Sequence, residues 1–119
     1  MLGVAKILVG MIALFHIYIL WLEMFAWESR GPRAFRSIPA EMFPKTRTMM
    51  ANQGLYNGFL AAGLIWSLLA GQDLWWQIAV FFLSCVAIAG IFGGLTASRR
   101  IFYVQAVPAM LALVLLTLG

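Results

Sequence analysis

The chain has 119 residues, of which 64% are hydrophobic and 10% are charged. A soluble domain has about 25% charged residues, so this composition excludes an ordinary soluble protein and predicts that the chain lies in a membrane. The formal net charge is +4, but the basic residues are concentrated in two connections between apolar segments. We therefore expect the lipid bilayer as a partner and do not expect a nucleic acid.

Four apolar segments follow one another along the chain. A membrane-spanning helix needs about 20 mostly apolar residues, and this length is reached at about residues 3–27, 49–70, 74–96 and 101–118. The first segment is too long for a cleaved signal peptide, so we expect it to be retained. The sequence therefore predicts an all-α polytopic membrane protein, in which residues 1–119 form a single transmembrane domain of four antiparallel helices in a bundle.

The basic residues define the predicted orientation in the membrane. The connection 28–48 carries five of the eight Lys and Arg residues, and the connection 97–100 carries two more. In a four-helix arrangement both connections lie on one side, which the positive-inside rule makes cytoplasmic. Both termini and the tight turn at 71–73 are then expected outside. Aromatic residues that favour the headgroup region agree with this orientation, with Trp27 and Tyr103 on the cytoplasmic side and Trp66, Trp75 and Trp76 on the outer side.

The connection 28–48 contains three prolines, which prevent one continuous helix through it. Phe35, Ile38 and Met42 recur at helical spacing among its basic residues. This pattern is typical of a short segment that lies in the headgroup plane. Alternatively, the connection forms a lid over a cytoplasmic opening.

Small residues predict the packing surfaces of the second and third segments. On a helical projection of the second segment, Gly54, Gly58 and Ala62 form one stripe, where another helix backbone can approach closely. A polar stripe lies roughly opposite and comprises Asn52, Gln53, Tyr56 and Asn57. Gly90, Gly93 and Gly94 give the third segment a comparable packing surface. Pro108 predicts a kink in the fourth segment.

Two ionisable residues interrupt the apolar first segment. In the stretch HIYILWLEMFAW, residues 16–27, His16 and Glu23 are seven residues apart and therefore face the same side of a helix. A charge at the centre of a bilayer costs about 2.5–3.5 kcal/mol on insertion scales, so such groups persist where they are paired, hydrated or used. We predict that His16 and Glu23 form a proton-exchanging pair.

Other polar residues are predicted at a similar depth from the cytoplasmic end, because an α-helix rises about 1.5 Å per residue. With His16 and Glu23 they would line a polar pocket that opens towards the cytoplasm. The predicted ligand-binding residues are Asn52, Gln53, Tyr56, Asn57, Tyr103 and Gln105. The alternative for the amides is structural, since such hydrogen bonds between membrane helices contribute about 0.6–2 kcal/mol. One histidine, one carboxylate and the lone Cys85 make a poor ligand set, so no metal and no cofactor are expected.

Two stretches of this sequence resemble a known family. HIYILWLEMFAW at 16–27 and ANQGLYNGFLAAGL at 51–64, with a basic, proline-containing connection between them, are similar to the small four-helix bacterial membrane proteins grouped as domain of unknown function 1304. The resemblance implies a multi-pass protein of the bacterial inner (plasma) membrane without an established activity. It also implies that Glu23, Asn52, Gln53 and Asn57 belong to the family's pattern.

The sequence leaves three functions open. In the first, the protein binds a small or lipophilic ligand in the pocket centred on Glu23 and His16, with proton-coupled transport as one form of this function. Transport through only four helices would require a homodimer. In the second, the protein is a membrane-embedded isomerase or epimerase that uses Glu23 and His16 as acid and base. In the third, it is a structural or assembly subunit of a larger membrane complex.

Overall fold

The computed structural model describes residues 2–119, and these residues form helices and short connections without any β-strand. The prediction of an all-α fold is confirmed. The elements in chain order are α1 (Leu2–Phe25), α2 (Trp27–Ala34), α3 (Met42–Lys45), α4 (Arg47–Leu69), α5 (Trp75–Thr96), α6 (Arg99–Ile101), a π-helical turn (Phe102–Ala106) and α7 (Val107–Leu118).

Among residues 2–119, three helical segments are long and apolar enough to cross a membrane, judged by length and composition. They are α1, α5 and the continuous stretch Arg99–Leu118, which joins α6, the π-helical turn and α7. The sequence predicted a fourth span, and α4 has 23 residues, so length is not what distinguishes it. The difference is polarity, because Arg47, Asn52, Gln53 and Asn57 all lie within α4.

The described chain divides into two compact units. The larger unit comprises residues 2–13 together with Leu60–Gly119, and the smaller unit comprises Leu14–Phe59. The first half of α1 and the last part of α4 belong to the larger unit, whereas the remainder of each belongs to the smaller one. The single transmembrane domain expected for residues 1–119 stays a prediction.

The larger unit has an aliphatic and alanine-rich core, in which Val9, Leu64, Leu83 and Val86 are fully buried. Three glycines of α5 lie where this helix meets the last helical stretch. A Cβ atom added at Gly90 would lie 2.5 Å from the backbone nitrogen of Ala106, which is closer than any real side chain could approach. Gly93 and Gly94 similarly face Ile101 and Phe102. The predicted close-packing surface on α5 is therefore present.

One end of the larger unit gathers the beginnings of α1 and α5 and the end of α7. The ammonium of Lys6 lies 4.6 Å from the ring centroid of Trp75, a cation–π contact. The indole nitrogen of Trp76 donates a hydrogen bond of 3.2 Å to the carbonyl of Leu116. A Cβ atom at Gly119 would lie 2.5 Å from Cδ2 of Leu2. Both ends of the described chain thus lie beside the start of α5.

The last helical stretch contains a π-helical turn immediately before Pro108. The N–H of Val107 bonds to the carbonyl of Phe102, five residues earlier, and α7 follows with Pro108 in its first turn. Proline lacks an N–H group and its ring crowds the carbonyl four residues earlier, which is that of Val104. The irregularity that Pro108 predicted is present, and it takes the form of a wide turn before the proline.

In the smaller unit, the connection after α1 packs around Trp27. Ala26 leaves helical geometry, with φ −130° and ψ 19°, so α1 ends and Trp27 turns inwards. The Trp27 ring lies 5.4 Å from that of Phe35 and 4.8 Å from that of Phe43, measured between centroids. Its indole nitrogen donates a hydrogen bond of 2.9 Å to Oγ1 of Thr46. We call Trp27, Phe35, Phe43 and Thr46 the Trp27 cluster.

Trp27 is only 4% exposed because the Trp27 cluster encloses it, and its expected position at the headgroup level stays a prediction. One expectation for this connection differs from the structure. The spacing of Phe35, Ile38 and Met42 suggested one short helix, but α2 ends at Ala34 and α3 begins at Met42. Pro39 lies between these two short helices, where its missing N–H group suits a break in the helix.

Candidate functional site

Two glycines of α4 let α1 approach closely within the smaller unit. A Cβ atom at Gly54 would lie 2.7 Å from Cγ of Met24 and 3.2 Å from the carbonyl oxygen of Leu20. At Gly58 it would lie 2.5 Å from Cδ1 of Leu20. Small residues permit such backbone approaches between membrane helices. The helices therefore meet along the part of α1 that carries Glu23.

The contact between α1 and α4 contains a buried carboxyl–amide pair. Glu23 is 6% exposed, and Nδ2 of Asn57 donates a hydrogen bond of 2.8 Å to its Oε1 atom. The same nitrogen donates a second hydrogen bond, of 3.1 Å, to the carbonyl oxygen of Gln53. Both hydrogens of the Asn57 amide are thereby used, and the side chain is fixed with its nitrogen towards the carboxylate.

The Glu23 carboxylate has a second oxygen beside the one that Asn57 occupies. Asn57 donates its hydrogen bond to Oε1. An ionised carboxylate accepts hydrogen bonds on both oxygens, whereas a protonated one also donates. This position can hold a proton, a cation or a hydrogen-bond donor.

His16 lies two helical turns before Glu23 on α1 and is 1% exposed. Its ring packs edge-on against Phe15, with the ring centroids 5.7 Å apart. Seven residues of helix separate His16 and Glu23 by about 10 Å along the axis. The two side chains share a helix face.

The polar residues of α4 do not all face Glu23. Asn52, Gln53 and Tyr56 are exposed, and the Tyr56 ring lies 6.1 Å from that of Phe59 on the same helix. The sequence placed Asn57 with them, roughly opposite the glycine stripe, and this was wrong. Asn57 is three residues after Gly54 and one before Gly58, so it lies beside the glycines and faces α1.

The remaining predicted site residues belong to the larger unit. Tyr103 is 65% exposed and Gln105 is half-buried, and both lie in the π-helical turn. Their membership of one pocket with Glu23 stays a prediction. Among residues 2–119, no group of three His, Cys, Asp or Glu side chains is placed to hold a metal ion.

A groove on the larger unit was not foreseen from the sequence. It has a volume of about 270 Å³ and is lined by Ile91, Gly94, Leu95, Arg99, Phe102 and Tyr103. Gly93 and Gly94 indicated a packing surface, and Arg99 and Arg100 indicated the orientation in the membrane. The two signals adjoin in sequence, and this adjacency could have indicated a groove with a basic end.

The fold and the site together define a class of small all-α proteins whose long helices are apolar enough to cross a membrane and whose smaller unit contains a buried carboxyl–amide pair. The chain belongs to the DUF1304 family of proteins of unknown function, whose model matches residues 10–117. It is 30% identical over 106 residues to the uncharacterized protein YpaA of Lactococcus lactis subsp. lactis, covering 87% of this chain and 88% of YpaA. No solved structure matches the chain.

Proposed function

We propose that this protein is a four-span protein of the bacterial inner (plasma) membrane that binds a small or lipophilic ligand at Glu23. The observation that carries the proposal is the Glu23 carboxylate, which is 6% exposed within an apolar helix and receives a hydrogen bond from Asn57. Structural cohesion alone does not require an ionisable group there, because an amide would form the same hydrogen bond without the cost of a charge.

The contacts of the larger unit support α4 as the fourth span. α1 and α5 begin at the same end of this unit, where Lys6 contacts Trp75. The chain must therefore return between the end of α1 and the start of α5. α4 is the helix long enough for this return, since its 23 residues extend about 35 Å, compared with a hydrocarbon core of about 30 Å.

The same contacts support the orientation proposed from the charges. Leu2 and Gly119 approach each other beside the start of α5, as expected when both termini lie on one side of the membrane. The basic connections 28–48 and 97–100 would then lie on the opposite side, which the positive-inside rule makes cytoplasmic. Both termini would be outside.

The chemistry of the pair favours a ligand with a cationic or hydrogen-bond-donating group. Oε1 of Glu23 accepts the hydrogen bond from Asn57, and Oε2 also accepts hydrogen bonds when the carboxylate is ionised. α1, which carries Glu23, is apolar, so the remainder of the ligand would be small or lipophilic. In proton-coupled transport, Glu23 would bind a proton and the ligand in alternation, and a homodimer would supply the pathway.

The acid–base alternative has weaker support. His16 and Glu23 are about 10 Å apart along α1, so an isomerase substrate would have to reach both groups. The participation of His16 and of the exposed residues Asn52, Gln53 and Tyr56 remains part of the binding proposal. A structural subunit is the remaining alternative, and it predicts that Glu23 can be replaced by glutamine without loss of function.

Tetraphenylphosphonium, a lipophilic cation, is a suitable probe for the test. Its binding to the purified protein in a neutral detergent would be measured by isothermal titration calorimetry for the wild type, Glu23→Gln and Glu28→Gln. Glu23→Gln preserves the shape of the side chain and removes the charge, whereas Glu28→Gln makes the same change at an exposed side chain. We expect Glu23→Gln to weaken binding by about tenfold, equivalent to ~1.4 kcal/mol, with little effect of Glu28→Gln.

Native mass spectrometry of the same variants would detect any molecule that copurifies with the protein. A ligand present with the wild type and lost with Glu23→Gln would support the proposal and give its mass. Equal binding of the probe by the wild type and Glu23→Gln, with no copurifying molecule in either, would contradict it and favour the structural subunit.

A further inference from the structure

The groove on the larger unit combines apolar walls with one basic end. Ile91 and Leu95 lie in the last turns of α5, and Phe102 belongs to the π-helical turn. Arg99, at the start of the span Arg99–Leu118, closes the end of the groove. Because Ile91 lies five residues before the last residue of α5, the apolar wall extends about 7 Å into the span.

One glycine of α5, Gly94, is among the residues that line the groove. A Cβ atom at Gly94 would lie 2.6 Å from Cβ of Phe102, and one at Gly93 would lie 2.7 Å from Cγ2 of Ile101. The helices approach closely there, and the large side chains of Leu95 and Tyr103 remain exposed at its edges. The Phe102 and Tyr103 rings are nearly perpendicular, with centroids 5.4 Å apart.

The positive charge of Arg99 has no counter-charge within the larger unit. Asp73 is the one acidic residue in that unit's sequence, and it precedes α5, whereas Arg99 follows α5. The 22 residues of α5 separate the two charges by about 33 Å. Among the described residues, no side chain forms an ion pair or hydrogen bond with the Arg99 guanidinium.

We propose that this groove binds one anionic phospholipid, with an acyl chain along Ile91, Leu95 and Phe102 and the phosphate on Arg99. The charge of the groove matches an anionic headgroup, and Arg99 is the first residue of a helical segment long and apolar enough to cross a membrane. A guanidinium binds phosphate oxygens through two parallel hydrogen bonds. Basic pockets between helices on the cytoplasmic side are sites of this chemical type. The groove is independent of Glu23 and does not require the function proposed above.

Native mass spectrometry in a neutral detergent tests this site with lipids of identical acyl chains. The probes are phosphatidylglycerol, phosphatidylcholine and inorganic phosphate, titrated into the wild-type protein. We expect phosphatidylglycerol to bind about fivefold more tightly than phosphatidylcholine, the ratio for one basic residue near the membrane surface. Inorganic phosphate should not bind detectably, because it lacks the acyl chain.

Three variants test whether the preference for phosphatidylglycerol over phosphatidylcholine arises at the groove. Arg99→Gln should bring the ratio of the two lipid affinities to about one, whereas Arg100→Gln makes the same charge change beside the groove and should preserve the ratio. Leu95→Trp fills the apolar part and should weaken phosphatidylglycerol binding without changing helicity. Helical content, measured by circular dichroism, identifies any variant that fails to fold. The comparison of the two lipids with the wild-type protein tests the proposal even if a variant does not fold.

Three results would overturn the proposal. Equal affinities of the wild type for the two lipids would remove the role of the headgroup charge. An equal loss of preference in Arg99→Gln and Arg100→Gln would indicate diffuse attraction to the basic connection. Binding of inorganic phosphate as tightly as phosphatidylglycerol would identify a free anion, rather than a lipid, as the ligand.

Discussion

Asn57 donates its hydrogen bond to Glu23 from a position between two glycine contacts. Gly54 precedes it and packs against Met24, and Gly58 follows it and packs against Leu20. The close approach of α1 and α4 therefore brings the amide nitrogen within 2.8 Å of the carboxylate oxygen. The hydrogen bond and the glycine packing depend on each other, which makes both accessible to stability measurements.

Loss of the Asn57 amide is expected to destabilise the protein more than loss of the Glu23 charge. Asn57→Leu leaves a buried carboxylate without its donor, which costs about 1–3 kcal/mol. In Glu23→Gln, the amide oxygen accepts the same hydrogen bond, so we expect a cost below about 1 kcal/mol. The free energy of unfolding would be measured by titration with sodium dodecyl sulfate in mixed micelles, followed by circular dichroism.

Gln53→Leu is the matched control for Asn57→Leu, because Gln53 lies one turn earlier on α4 and its side chain is exposed. It should change the free energy of unfolding by less than about 0.5 kcal/mol. If Asn57→Leu and Gln53→Leu gave the same value, the hydrogen bond to Glu23 would contribute nothing measurable.

Alanine substitutions at three glycines should separate tight backbone contacts from ordinary ones. Gly90→Ala meets the backbone of Ala106 at 2.5 Å, which cannot move without shifting the helix, so a cost of about 1–3 kcal/mol is expected. Gly58→Ala meets only the flexible end of Leu20 and should cost less. Gly10→Ala places its Cβ atom 3.7 Å from Leu68, an ordinary contact, and should be neutral or stabilising.

The same unfolding titration ranks the three glycine variants. All three positions are helical, so the intrinsic gain of up to about 1 kcal/mol from replacing glycine applies equally. A Gly90→Ala protein as stable as Gly10→Ala would mean that α5 and the π-helical turn are farther apart than the structure places them.

The Trp27 cluster should determine how accessible the connection between α1 and α4 is to proteases. Trp27→Phe retains an aromatic ring and removes the hydrogen bond to Thr46, so we expect the cluster to lose about 0.5–1.5 kcal/mol. Limited trypsinolysis in detergent would then cut the basic connection several-fold faster, because cleavage follows the population of locally opened chain. Ser37→Ala, at an exposed turn position, is the control and should leave the rate unchanged.

Cysteine labelling tests the proposed four spans and their orientation. In a Cys85→Ser background, single cysteines at Ser37 and Asp73 would be exposed to a membrane-impermeant maleimide on intact cells. We expect labelling at position 73 and protection at position 37 until the cells are lysed. Labelling of both positions on intact cells would show that α4 does not cross the membrane.

Most of the helical architecture follows from apolar length. The limits of α4, α5 and the last helical stretch lie within two residues of those expected, because tight turns and charges mark their ends. Helix periodicity also located the glycine surface of α5. Length and composition disagree for α4. This helix is long enough to cross a membrane, but its amide side chains make it more polar than the other long helices.

The sequence predicted only part of the candidate site, and the reason that the rest was missed is geometrical. Helix periodicity identifies which residues share a face of a helix. For a residue at the boundary between two faces, the face on which it makes its contacts depends on how the neighbouring helices pack. Asn57 is such a residue, and only the contact with α1 assigns it to the glycine side. The Trp27 cluster was missed because its contacts join residues up to 19 positions apart through non-helical turns.

The packed connection has a consequence for any ligand at Glu23. Joining two helices through a flexible chain of about 20 residues carries a closure entropy of roughly 2–3 kcal/mol. Here Trp27, Phe43 and Thr46 order that chain beforehand, so the entropy is lost on folding and not on ligand binding. A ligand would meet a preorganised site. Affinity at Glu23 should therefore depend on loop residues that never touch the ligand.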